Sequence, residues 1–230
     1  MTIKQAFDNC AKDYDSERKQ LIPCFDSFYG SALEIISFYK KTPPLKVLDL
    51  GAGTGLFSSL VSAVFPKAKF SLVDMSDKML DEAKNRFSDT KIKVNYSIQD
   101  YSKEPIEVGF DLIISALSIH HLSDDEKESL FAKIYSALNH NGLFINADQV
   151  LGETEDLDEI YRAMWVKQVK EKGAGDQTLD AAFERMKEDK MSTLSDQLNW
   201  LNNAGFSEVN CWFQDFSFVV YSGMKTVRCS

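Results

Sequence analysis

Between Val47 and Phe57 the chain reads VLDLGAGTGLF, an apolar run that enters three glycines at alternate positions and then a stretch of helical period. Glycines at such a junction let the backbone turn sharply. A ligand can then approach the main chain along Gly51, Ala52, Gly53 and Gly55, and the start of the following helix offers unpaired N–H groups to an anionic moiety. The spacing is GxGxG, with Leu56 where a dinucleotide-binding GxGxxG loop has its third glycine. A carboxylate of amino-acid size suits the loop as well as a pyrophosphate does. Asp49, just ahead of the glycines, adds a charge able to attract an ammonium or a sulfonium.

Further acids follow at regular stations. Asp74 closes the run FSLVD, 23 positions after Gly51, where an acid beyond the second strand can accept both hydroxyls of a ribose. Met75 comes next and suits the face of an adenine. Gln99, Asp100 and Tyr101 follow the third apolar run, and Asp100 is placed to accept from an exocyclic amine. The fourth run ends in SALSIHHL, from Ser115 through Ala116 to His121 and Leu122. His121 titrates near neutrality and is the candidate general base. An extended segment would send His120 and His121 to opposite faces, so no metal site is expected there. Arg18 is suited to pairing with a carboxylate of the cofactor or of an acidic acceptor.

These residues need a scaffold that brings strand ends together, and the chain supplies its pattern. Strands are predicted at Lys46–Leu50, Lys69–Asp74, Ile92–Ile98, Phe110–Ala116 and Gly142–Asp148, with helices at Thr54–Val64, Ser76–Phe87 and Asp124–Leu138 between them. Ser123 with Glu126 forms a capping-box pattern ahead of the last helix. Residues 1–40 read as helical, with Leu33, Ile36, Phe38 and Tyr39 supplying apolar surface. Residues 153–190 read as a charged helical insertion with Leu157, Ile160, Tyr161, Met164 and Gln168 on one face. A helix over Thr193–Ala204, stopped by Gly205, precedes two last strands, Ser207–Gln214 and Phe216–Ser222.

The 230 residues carry 26 Lys+Arg against 35 Asp+Glu, a net charge of −9, which argues against a protein that grips phosphate backbones. Hydrophobic residues at 44% and only 11 Gly and 5 Pro indicate an ordinary globular chain, read as one domain without internal repeats. No apolar run approaches the ~20 residues of a membrane span. The four cysteines form no CxxC pair, so reduced thiols and a cytoplasmic location are expected.

Together the glycine loop and the acids at 74 and 100 resemble the class I S-adenosylmethionine-dependent methyltransferase family from about Val47 through Asp148. The resemblance implies an α/β, Rossmann-like, doubly wound, seven-stranded and mostly parallel sheet whose last strand runs antiparallel. It also implies that Asp49 to Gly55 hold the methionine moiety of S-adenosylmethionine, that Asp74 binds the ribose and that Asp100 binds the adenine amine. Flanking residues, among them Leu198, Trp200, Leu201, Phe206 and Trp212, are similar to bacterial small-molecule methyltransferases and to carboxy-S-adenosylmethionine synthase. In the latter an arginine of the insertion holds an extra carboxylate, and Arg185 falls in the corresponding region.

Methyl transfer from a sulfonium rests on alignment and water exclusion, worth ~7–11 kcal/mol of barrier. Aromatic faces suit a cationic donor, and Tyr29, Tyr161, Trp165, Trp212 and Tyr14 are the candidates, Tyr14 standing with His121 at the reacting groups. Segment 1–44 is expected as a helical lid, 45–150 as the cofactor-binding core, 151–192 as a helical cap and 193–230 as the closing helix and strands. A nicotinamide oxidoreductase fits Leu56 poorly, whereas a noncatalytic nucleoside-binding protein and a cofactor-carboxylating enzyme remain rivals. The acceptor is read as a small molecule, with neither nucleic acid nor membrane as partner, and the oligomeric state stays open between monomer and homodimer.

Overall fold

The computed structural model describes residues 14–40 and 45–226, with side chains from Arg18 onward. Helices α1 (Tyr14–Leu21) and α2 (Phe25–Tyr39) lead into alternating β1 (Lys46–Leu50), α3 (Leu56–Val64), β2 (Lys69–Asp74), α4 (Asp77–Phe87), β3 (Lys93–Ile98) and β4 (Phe110–Ala116). A short 3-10 turn at Ile119–His121, α5 (Asp124–Ala137) and β5 (Leu138–Gln149) follow. Helices α6 (Glu155–Glu171), α7 (Asp176–Met186) and α8 (Leu194–Ala204) precede β6 (Ser207–Asp215) and β7 (Phe218–Lys225).

The strands form one seven-stranded sheet in the order β3-β2-β1-β4-β5-β7-β6. β1 pairs in parallel with both β2 and β4, and β7 runs antiparallel to β5 and β6. The central strands are apolar on both sides because helices cover both faces. Val47, Leu112 and Ile114 pack under α2, α3 and α4, whereas their neighbours Leu48 and Ile113 pack under α5 and α8. Strand order reverses between β1 and β4, and the carboxyl ends of strands at such a reversal open a crevice for ligands.

Local chemistry sets the ends of the elements. Ser76 caps α4 by accepting from Met79 N, and Ser123 with Glu126 forms the expected capping box on α5. Gly205 closes α8 in the left-handed region at φ 101°. Strand β5 starts at Leu138, earlier than the sequence predicts, because a register shift opposite Phe110/Leu112 admits the left-handed Asn141 into the ladder.

Two expectations are corrected. The buried side of α6 runs through Trp165 and Val169, while Leu157 and Ile160 are 38% and 50% exposed. The indole decides this, since Trp165 Nε1 donates to Leu21 O at 2.9 Å and pins α6 to the end of α1. In the N-terminal part Ile36 is buried but Phe38 is 64% exposed, so the apolar face of α2 is narrower than its sequence suggests.

Candidate active site

The turn after β1 is held open by backbone that only glycine adopts readily. Gly51, Gly53 and Gly55 lie at φ 66°, 55° and 73°. A Cβ on Gly51 would stand 1.8 Å from Ser118 Oγ, and one on Gly55 would press on Phe87, Ala83 and Leu72. At Gly53 a Cβ would meet nothing within 4 Å, so this glycine faces open space. The loop is tied down from behind, with Ala52 N donating to Val73 O at 3.0 Å and Gly55 N to Ala52 O at 2.9 Å.

Asp74 joins the loop to β2. Its Oδ2 accepts from Gly53 N and its Oδ1 from Ser76 N, both at 2.8 Å. Burial raises its pKa against backbone bonds from Ser76, Gly53 and Met75, and the carboxylate's roughly four lone-pair sites exceed these donors. Asp49, 1% exposed, accepts from Ser58 Oγ at 2.6 Å. Burial pushes its carboxyl up to about 7 despite the Ser58 bond, and the charge of Asp74 adds to the effect.

A crevice opens over Gly51, Gly53, Asp74 and Met75. Asp100 and Tyr101 form its far wall. Burial alone would raise the Asp100 pKa, but bonds from Lys103 and Ser102 outweigh it and hold the carboxyl below its usual range. Tyr101 is buried, and its hydroxyl lies 2.6 Å from Ser118 Oγ, which fixes the ring beside Gly51. Met79, one helical turn beyond Met75, also lines the crevice.

Beyond the crevice lies a second cavity under α1, α6 and α7, walled by Leu21, Ile22, Trp165, Arg185 and Met186. Arg18, Leu117 and His121 border both spaces and mark their junction. Arg18 donates to Tyr29 Oη at 3.0 Å, and its charge lowers the pKa of both Asp49 and Asp74.

At the junction the histidine pair departs from expectation. Leu117 takes a left-handed φ of 49° and residues 119–121 coil into a 3-10 turn, so the two imidazoles sit 4.0 Å apart instead of on opposite faces. His120 Nδ1 lies 2.5 Å from Asp148 Oδ1, and His121 Nδ1 lies 3.0 Å from Asp189 Oδ1. Burial opposes the charged form of His120, but Asp148 and Asp189 outweigh it and raise its pKa. Burial, with the charge of His120 beside it, lowers that of His121.

Several sequence candidates stand elsewhere. Gln99 turns its amide to Pro105 O at 2.8 Å and lines a separate cavity with Ser71, Asn95 and Ser97. Ala116, the last residue of β4, is buried in the core. Tyr29 is 2% exposed and fills the interior against Phe28 and Phe57, and it meets the site through Arg18. Tyr161 lies on the far side of Trp165, in another cavity with Asp158 and Phe183. Trp212 sits on the edge strand β6, 39% exposed, and donates to Ser222 Oγ at 2.8 Å. The side chain of Tyr14 lies outside the described residues. Sequence reasoning missed Asp148, Asp189, Met79 and Ser118. Asp148 was discoverable, since it stands near the carboxyl end of a parallel strand as Asp74 does, whereas Asp189 lies in a charged loop with no pattern to mark it.

Comparison with known proteins agrees with this geometry. A methyltransferase domain family matches residues 47–142, the segment that builds the crevice. Over these residues the chain is similar to class I S-adenosylmethionine-dependent methyltransferases. Carboxy-S-adenosyl-L-methionine synthase of Nautilia profundicola is 22% identical over 218 residues, 94% of this chain and 92% of that protein. Malonyl-[acyl-carrier protein] O-methyltransferase 1 of Ilyobacter polytropus is 29% identical over 140 residues, 61% of this chain and 49% of its own. In fold the protein resembles magnesium protoporphyrin IX methyltransferase of Synechocystis PCC 6803, solved with S-adenosylmethionine, at TM-score 0.60 and 14% identity over 88% of this chain and 80% of that one.

Proposed function

We propose that the protein transfers the methyl group of S-adenosylmethionine to a small-molecule acceptor by in-line displacement. The observation that carries the reading is the open face of Gly53 above a crevice that continues, past Arg18 and His121, into a second cavity. Bound in the crevice, the cofactor supplies an electrophilic methyl group on a sulfonium.

The chain's residues then divide the work. The main chain at Gly51–Gly55 seats the amino-acid end, with Asp49 drawing its positive charge. Asp74 accepts from the ribose hydroxyls with its remaining lone pairs, Asp100 accepts from the adenine amine, and Met75 packs on the ring. Helix α1 and the 151–192 segment act as lid and cap, since Leu21, Ile22, Trp165 and Met186 line the acceptor cavity. A hydroxyl, thiol or amine acceptor sheds a proton as it attacks, and the cluster around His121 stands at the junction where that proton leaves. Arg18 and Arg185 favour an acceptor with an acidic group. The free thiols of Cys24 and Cys211 fit a reducing, cytoplasmic compartment.

A second reading, carboxylation of the cofactor itself, draws support from full-length similarity to carboxy-S-adenosyl-L-methionine synthases and from Arg185 in the adjoining cavity. Mass spectrometry of the copurified nucleoside separates the two by the mass of one carboxylate. For binding, a saturating cofactor at a hundredfold its Kd adds ~2.7 kcal/mol of stability. S-Adenosylmethionine and S-adenosylhomocysteine are expected to raise Tm, NAD is not, and Asp74→Ala removes most of the effect. Stabilisation by NAD alone would refute the reading.

A further inference from the structure

Four side chains at the junction are arranged beyond what proton transfer to one imidazole needs. We propose that His120, His121 and Asp189 hold a divalent transition-metal ion in the wall of the acceptor cavity, with Asp148 orienting His120 from behind. The three ligand atoms lie within 4.8 Å of one another. Metal bonds of about 2.0–2.2 Å at tetrahedral or octahedral angles place ligand atoms about 2.8–3.6 Å apart. Asp189 Oδ1 lies 3.0 Å from His121 Nδ1 and 3.5 Å from His120 Nε2, so a single ion reaches the carboxylate and either ring with little movement.

The support behind these groups has the form a metal-ligating histidine requires, its second nitrogen held by a carboxylate. Asp148 is fixed by donors from Asn146 Nδ2 at 3.1 Å, Gln149 N at 2.9 Å and His120 N at 3.2 Å. Its bond to His120 Nδ1 leaves Nε2 directed at Asp189. Asp189 is positioned as firmly, because Lys190 N donates to His120 O at 2.8 Å and the buried Lys127 ammonium bonds Lys190 O and Ser192 Oγ. Asp148 and Asp189 together balance the charge of a dication.

Two imidazoles and one carboxylate select zinc, iron(II) or cobalt(II) over magnesium or calcium. With three protein ligands, coordination positions stay open towards the cavity, the pattern of catalytic rather than structural sites. Resting on the methyl-transfer reading, the ion's role follows. An acceptor hydroxyl or thiol bound to it loses its proton to water. The oxygen or sulfur anion then forms its bond to the methyl carbon as the carbon–sulfonium bond breaks, and that electron pair remains on the cofactor sulfur.

The test uses the full chain stripped with a chelator and titrated with Zn²⁺ by calorimetry and with Co²⁺ by visible absorption. One ion per chain and a ligand-field band are expected. His121→Asn and Asp189→Asn each lower affinity at least a hundredfold, Asp148→Asn lowers it about 10- to 100-fold, and the exposed His140→Asn leaves it unchanged. S-Adenosylhomocysteine affinity, measured on the same preparations, reports the fold and the cofactor reading separately. Absence of saturable Zn²⁺ and Co²⁺ binding, or equal binding by wild type and Asp189→Asn, overturns the metal site. Metal binding without S-adenosylhomocysteine binding leaves the site standing and removes the methyl-transfer role.

Discussion

Replacing Asp49 with asparagine removes a carboxyl whose ionisation the fold opposes. Burial raises its pKa to about 7 despite the hydrogen bond from Ser58, with Asp74 adding to the rise and Arg18 opposing it. In the unfolded chain the same group titrates near ~3.9. Between those values the native state keeps a proton that the unfolded state has released, so stability falls as pH rises through the window and levels off above it. Roughly three pKa units at ~1.4 kcal/mol each set a scale of about 4 kcal/mol. The substituted amide does not titrate, and its oxygen still accepts from Ser58. The unfolding free energy of Asp49→Asn relative to wild type is therefore expected to grow by up to about 4 kcal/mol between about pH 4 and pH 8. A cation seated beside Asp49 reverses the effect of burial, so cofactor binding at about pH 6 releases a proton, and affinity climbs by up to about tenfold per pH unit below 7. Urea denaturation across pH measures the first effect, and calorimetry in buffers of different ionisation heat measures the second. A wild-type-to-variant difference that stays flat with pH, together with cofactor binding that releases no proton, would refute the reasoning.

Other substitutions separate the parts of the site. Gly51→Ala drives a Cβ to 1.8 Å from Ser118 Oγ and is expected to lower Tm sharply, whereas Gly53→Ala, which meets no neighbour, costs ~1–2 kcal/mol of backbone strain and chiefly weakens cofactor affinity. Melting curves with and without S-adenosylhomocysteine distinguish the two. Arg185→Gln should raise KM for acidic acceptors while S-adenosylhomocysteine affinity stays unchanged. A parallel loss of cofactor affinity would place Arg185 on the wrong side of the junction.

Much of the sheet was legible because its central strands are buried on both faces and so read as unbroken apolar runs. Lys46–Leu50, Lys69–Asp74 and Phe110–Ala116 have the ends the sequence predicts. The glycine loop was legible for a related reason, since only a left-handed turn demands that residue at alternate positions. What escaped depends on contacts between distant segments. The left-handed Leu117 carries no glycine or proline to announce the turn that brings His120 beside His121. Aromatic residues chosen for size divided by environment, with Trp165 reaching the site, Tyr29 filling the interior and Trp212 remaining on the sheet edge.

The division of the walls has an evolutionary consequence. Crevice walls come from loops after β1 to β4, while the second cavity draws on α1 and on a segment inserted between β5 and α8. On the proposed reading, donor recognition and acceptor choice are encoded in separate stretches of sequence, joined at Arg18, Leu117 and His121. Exchange of the inserted stretch alone offers selection a route to new chemistry in which the nucleoside berth is inherited intact.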